Sequence, residues 1–233
     1  MPTLPIAVPA SELAVYRKVA WRVIPLLFVC YIAAYLDRVN VSFAKLQMQT
    51  DVPAISDTVF GLGTGIFFLG YLVFEVPSNI LMEKLGARLW IARIMITWGV
   101  ISTAMIFVNS PWTFYGLRLL LGIAEAGFFP GVILYLTYWF PSRRRGEMVA
   151  FFMMAVALTG VVGAPLSGWI LHEFSAGTGL KGWQMLFLLE GIPSIALGLF
   201  VPWLLSNGIR SARWLSEDEK QLLEENLQAE ETS

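Results

Sequence analysis

Cysteine and histidine are almost missing from this chain, which has one of each among its 233 residues, Cys30 and His172. A lone cysteine excludes an intramolecular disulfide, and the two residues together cannot build a metal-ligand cluster or a Cys/His catalytic pair. Neither an HExxH nor a GxSxG sequence occurs, so no hydrolytic motif points to an enzyme and no cofactor is implied. Charge is also scarce. Asp, Glu, Lys and Arg make up 14% of the chain, against roughly a quarter in soluble domains. A net charge of -1 shows no basic excess of the kind that binds nucleic acid.

Apolar residues dominate instead, at 57% of the chain with a mean hydropathy of +0.66. A water-soluble fold of this length could not hide so much apolar surface. Apolar runs near the roughly 20 residues a spanning helix needs recur at about 21–43, 59–82, 89–109, 112–139, 148–172 and 183–205. The first is too long for a cleaved signal peptide and carries Asp37, Arg38 and Asn40 where small residues would be needed for cleavage. The expected fold is therefore all-α: a polytopic membrane protein of six transmembrane helices over 21–205. A polar tail covers 1–20 and a partly amphipathic linker covers 206–233, with Leu215, Leu222 and Leu223 on one side of it. Gly160, Gly163 and Gly168 around Pro165 suggest a kinked, closely packed fifth span. Trp183 and Trp203 flank the sixth, where interfacial aromatics often lie.

The cations set an orientation. If the N-terminus is cytoplasmic, the inner segments hold Arg17, Lys18, Arg22, Lys84, Arg88, Arg93, Arg143, Arg144, Arg145, Arg210, Arg213 and Lys220, and the outer loops hold only Lys45 and Lys181. Lys/Arg-rich segments stay cytoplasmic during insertion. Both termini are expected inside, in a membrane of the bacterial inner (plasma) type.

Ionisable residues within the hydrocarbon cost roughly 2.5–3.5 kcal/mol each and normally face a cavity. Asp37, Arg38, Glu75, Arg118, Glu125 and Glu190 are the residues to explain. Tyr31, Tyr35, Arg38 and Ser42 fall on one helical face, as do Tyr115, Arg118, Gly122 and Glu125; Thr64, Tyr71, Glu75 and Ser78 make a coarser third stripe. At 1.5 Å per residue Asp37 and Arg118 each lie about 9 Å below the outer surface of a roughly 30 Å core. Asp37, Arg38 and Arg118 are thus expected at one level. Two guanidiniums at one depth suit a carboxylate, which their planar forks can bind bidentately. Asp37 and Glu125 are candidates for loading and releasing a proton, since burial favours the neutral acid and a nearby arginine the charged form. For Glu75 and Glu190 a structural or gating role is at least as apt as substrate contact.

These residues also sit in recognisable segments. NILMEKLGAR (79–88) resembles the loop between the second and third helices of the major facilitator superfamily. Glu83 stands there for the usual aspartate, Gly86 holds the turn, Arg88 supplies a basic position, and Asn79 replaces the family's leading glycine. YLDRVNVSFA (35–44), FEVPSNILMEKLGARLWIAR (74–93), RLLLGIAEAGFFPG (118–131), GAPLSGWIL (163–171) and WLSEDEK (214–220) resemble its anion:cation symporter branch, carriers of sugar acids and other organic anions. The resemblance implies two inverted three-helix repeats forming the N-terminal half of a twelve-helix carrier, partnered by a second six-helix half. It implies anion binding by Arg38 and Arg118 with Tyr35 and Tyr71, proton coupling by Asp37 and Glu125, and a cytoplasmic gate at Glu83, Gly86 and Arg88. Partners would be the lipid bilayer, a small organic anion, and a proton or sodium ion. The other reading is a truncated six-helix membrane protein that acts by association with another carrier.

Overall fold

Backbone amides inside a bilayer have no water to bond, so a span must satisfy them internally, which for these sequences means a helix. The computed structural model describes residues 10–174 and 179–231, and among the described residues every regular element is helical. The elements are α1 (Ala10–Asp51), α2 (Asp57–Leu85), α3 (Ala87–Ala104), α4 (Pro111–Glu125), α5 (Phe128–Thr137), α6 (Ser142–Glu173), α7 (Gly182–Leu204) and α8 (Glu217–Glu231). Short 3-10 turns at Met105–Phe107 and Ile209–Ser211 follow α3 and precede α8. Among the described residues six segments are long and apolar enough to cross a membrane: Glu12–Asp51, Asp57–Leu85, Ala87–Phe107, Pro111–Thr137, Ser142–Glu173 and Gly182–Leu204.

Three local expectations change. The run 112–139, read as one helix, is two helices in one span, broken at Ala126–Gly127. Gly127 has φ +85°, and a Cβ there would lie 2.4 Å from Ser78 Oγ of α2. Only glycine accepts both the left-handed backbone and that contact. Pro130, which has no N–H to give back to Ala126, adds to the break. In α6, Gly163 meets the Leu36 side chain, but Gly160 and Gly168 face open space, so close packing there involves one glycine and not three. Trp203 is exposed as an interfacial residue would be, whereas Trp183 is buried and donates its indole N–H to Asp51 Oδ2 at 2.8 Å.

The helices pack α3 on α7, α2 on α4, and α1 on both α6 and α7. The α2–α4 contact is backbone on backbone: a Cβ on Gly122 would lie 2.1 Å from the Phe67 carbonyl oxygen. α1 runs through residue 20 without a break, and its first turns meet the linker and α8. Lys18 pairs with Glu219 at 2.7 Å, and the Asn226 amide donates to Tyr16 Oη at 3.3 Å. The Ser142 amide donates to Glu230 Oε2 at 2.8 Å, Trp139 stacks on Trp214, and Leu215 and Leu223 are buried with Leu222 packed beside them. The hydrogen bond from Lys18 holds the Glu219 carboxyl below its usual range. A depressed acid stabilises the fold at neutral pH, and that contribution is lost as acid protonates it.

The Phe67–Gly122 contact gives a direct test. Gly122→Val should cost about 1–3 kcal/mol by overpacking, seen as a lower thermal midpoint in detergent. Gly116→Ala on the same helix, where a Cβ meets nothing within 4 Å, should not. Equal midpoints for the two variants would contradict the packing described.

Candidate functional site

One cluster of charge lies inside the bundle where α1, α2 and α4 meet. Arg38 of α1 donates Nε to Glu125 Oε1 of α4 at 2.9 Å, and its Nη2 reaches the same oxygen. About two turns earlier on α4, Arg118 lies on the same face, as the three-and-four spacing required. Between the two cations stands Phe67 of α2, with its ring centroid 4.5 Å from the Arg118 guanidinium and 5.9 Å from that of Arg38. The Tyr71 ring lies 5.3 Å from Arg38. Cations over aromatic faces gain about 0.5–2 kcal/mol, which partly offsets the loss of water.

The partners do not balance. Arg118 is 3% exposed and Glu125 4%. Glu125 feels both guanidiniums but hydrogen-bonds only Arg38. Arg118 has a single long bond, from Nε to the Gly63 carbonyl at 3.4 Å, and its Nη1 is buried with no partner among the described residues. Two permanent positive charges against one carboxylate leave a unit of positive charge in the interior. A cavity of about 270 Å³ opens beside Arg38, lined by Tyr31, Arg38, Phe68, Tyr71, Phe129 and Met153. Tyr35 is half-buried and packs edge-on against Tyr31, a step behind the lining.

Asp37 goes elsewhere. It was expected at one level with Arg38 and Arg118, and its position about 100° round the helix carries its side chain into the α1–α3–α7 interface. There it is 3% exposed and accepts from Trp98 Nε1 (3.0 Å), Ser102 Oγ (2.7 Å), Ser194 Oγ (2.6 Å) and Asn40 Nδ2 (3.4 Å). Its bonded partners are hydroxyls, an indole and an amide, with no arginine among them. Sequence reasoning missed this cage. The available signal was the spacing of Trp98 and Ser102, which lie one turn apart on one face of α3. Phe67 was missed as well, because one aromatic in an apolar run carries no mark.

The third group lies at the end of the bundle where α2 turns into α3, beside the linker. Gly86, with φ +89°, turns the chain from α2 into α3 and donates its N–H to Met82 O at 2.9 Å. The Arg88 amide donates to Asn207 Oδ1 at 3.1 Å, its Nε is buried without a partner among the described residues, and Glu83 is exposed. Glu83 and Gly86 line a second cavity there, of about 930 Å³, with Arg145, Asn207 and Arg210. Ser78, expected to share a stripe with Tyr71, instead accepts from Trp90 Nε1 at 3.1 Å in the α2–α3 interface.

Six apolar spans enclosing a charge cluster beside an aromatic-lined cavity define a polytopic helical membrane protein. The chain belongs to the Major Facilitator Superfamily, whose family pattern matches residues 27–228. It is 55% identical over 218 residues to "Putative metabolite transport protein NicT" of Pseudomonas putida, covering 94% of this chain and 50% of that protein. It is 51% identical over 222 residues to a "Putative tartrate transporter" of Agrobacterium vitis, covering 95% and 51%. The chain thus spans about half the length of these curated relatives. Among solved structures, a bacterial homolog of the human lysosomal transporter Spinster superposes with a TM-score of 0.71 at 21% identity, over 87% of this chain and 46% of that one, a likeness of fold.

The cage around Asp37 can be probed apart from any transport. Ser194→Ala removes a hydrogen bond to a buried carboxylate and should cost about 1.5–3 kcal/mol, read as a lower thermal midpoint. An unchanged midpoint at neutral and alkaline pH would show that the bond does not support the fold.

Proposed function

We propose that this chain is the N-terminal half of a twelve-helix carrier that moves a small organic anion, a carboxylate or sugar acid, together with a proton. The observation that carries the reading is the buried, underused guanidinium of Arg118 next to an Arg38 whose only carboxylate partner among the described residues is Glu125. The site lacks one negative charge, and a planar carboxylate supplies it with geometry that suits the guanidinium fork. Tyr71 and Tyr35 shape the pocket beside Arg38. The names of the tartrate and metabolite transporters support the substrate class.

Coupling follows from competition. While Glu125 is ionised it occupies Arg38, and an arriving anion must displace it. Once Glu125 is protonated, Arg38 is freed, and anion and proton favour each other's binding, as symport requires. Asp37, adjacent in sequence but seated in the α1–α3–α7 interface, is the second proton-coupling residue. Neutralising it weakens its four bonds and lets α1 shift against α3 and α7. Glu83, Gly86 and Arg88 form the gate at the cytoplasmic end, where the Lys/Arg distribution also places both termini, in a bacterial inner membrane.

Arg118→Ala in the full-length carrier should weaken tartrate binding at least about thirtyfold, the equivalent of a charged hydrogen-bonded contact of about 2 kcal/mol. Calorimetry that finds unchanged affinity overturns the anion site. Glu125→Gln should leave exchange of anion for anion intact and abolish accumulation driven by a pH gradient in proteoliposomes. Retained accumulation would remove Glu125 from coupling.

A further inference from the structure

The ion pair of α1 and α4 leaves one buried acid unused. Glu190 of α7 is 4% exposed. Its Oε1 accepts from Ser167 Oγ of α6 at 2.8 Å, while its Oε2 is buried with no hydrogen-bond partner among the described residues. The polar groups beside it are Asn40 and Asp37 of α1. Asn40 is itself fully buried. Its Nδ2 is given to Asp37, and its Oδ1 is a second orphaned acceptor. Thr103 Oγ1 of α3 is a third orphan at the same helix contact, where a Cβ on Gly191 would meet it at 2.5 Å.

Two neighbouring oxygen acceptors without a donor lack a hydrogen. Burying an unsatisfied acceptor costs free energy, and burying an unpaired charge costs far more. Among the described residues the groups acting on Glu190 include no cation: α1 presents Asp37 and Asn40, and α6 presents Ser167. Two carboxylates in one dry interface do not both ionise readily. Asp37 accepts four donors and so keeps the charge, whereas Glu190 accepts one. A metal cation suits the place poorly, because the Trp98 indole N–H and the Asn40 amide N–H already point at the Asp37 carboxylate.

We propose that Glu190 is a proton-binding site distinct from the Arg38–Glu125 cluster: its Oε2 carries a proton, donated to Asn40 Oδ1, so that Glu190, Asn40 and Asp37 form one acid–amide–carboxylate chain between α7 and α1. The chain holds a single negative charge shared by two carboxyls. Moving its proton from one end to the other turns both hydrogen bonds of Asn40 around, and requires Asn40 to rotate its amide.

The proposal does not depend on the identity or binding of an anion, and infrared spectroscopy of the purified protein in detergent tests it directly. The wild type at neutral pH should show a protonated-carboxyl C=O band that disappears in Glu190→Gln. In Ser167→Ala the same band should persist and move to higher frequency, because the carbonyl oxygen Oε1 loses its hydroxyl donor. A Glu190→Gln spectrum identical to wild type in this region overturns the proposal, as does a band abolished by sodium chloride, which would mark a cation site. If Glu190→Gln does not fold, the Ser167→Ala shift decides: an unmoved band overturns the assignment.

Discussion

Everything in this bundle is arranged around a charge that apolar surroundings resist, the pair formed by Arg38 and Glu125 with Arg118 behind it. A guanidinium cannot shed its proton to escape burial, so two neighbouring helices supply what water would have given. α4 contributes the carboxylate, α2 the faces of Phe67 and Tyr71, and the backbone at Gly63 one carbonyl. The close α2–α4 approach at Gly122 brings the aromatic faces within reach of both cations. The compensation is incomplete, and that incompleteness gives the site its chemistry. A fully paired cluster would be a structural tie, whereas this one is a negative charge short, which is the ground for the anion site proposed above.

A second constraint comes from α1. Asp37 and Arg38 are consecutive, so a rigid helix must send them in directions about 100° apart. One enters the hydroxyl-lined interface with α3 and α7, the other the charged cavity against α2 and α4. The two polar clusters are thus joined through a single helix, and a change in the protonation of either acts on the same element. The proposed coupling requires that this shared, packed element have a second arrangement that both sites bias.

Much of this was legible in the sequence. The apolar runs marked the spans, and the steps of three and four placed Arg118 with Glu125 and Tyr31 with Arg38 before any coordinates. What escaped were contacts made by single residues across helices. Ser102 and Ser194 look like stray hydroxyls in apolar runs until Asp37 is seen between them. Trp183 reads as an interfacial anchor until its N–H finds Asp51. The break at Gly127 hid in an unbroken apolar run, because hydropathy does not distinguish a left-handed glycine from a packed one. For Glu190 the sequence offered a structural or gating role as readily as substrate contact, and the structure sets beside it a serine, an amide and a second acid.

The account stands most directly on the competition between Glu125 and an anion for Arg38. Titration calorimetry of tartrate binding to the full-length carrier, repeated from mildly alkaline to mildly acidic pH, measures it. Affinity should rise as pH falls, and each anion bound should take up protons, visible as a dependence of the heat on buffer ionisation enthalpy. Binding of equal strength across that range, with no proton uptake, would contradict it.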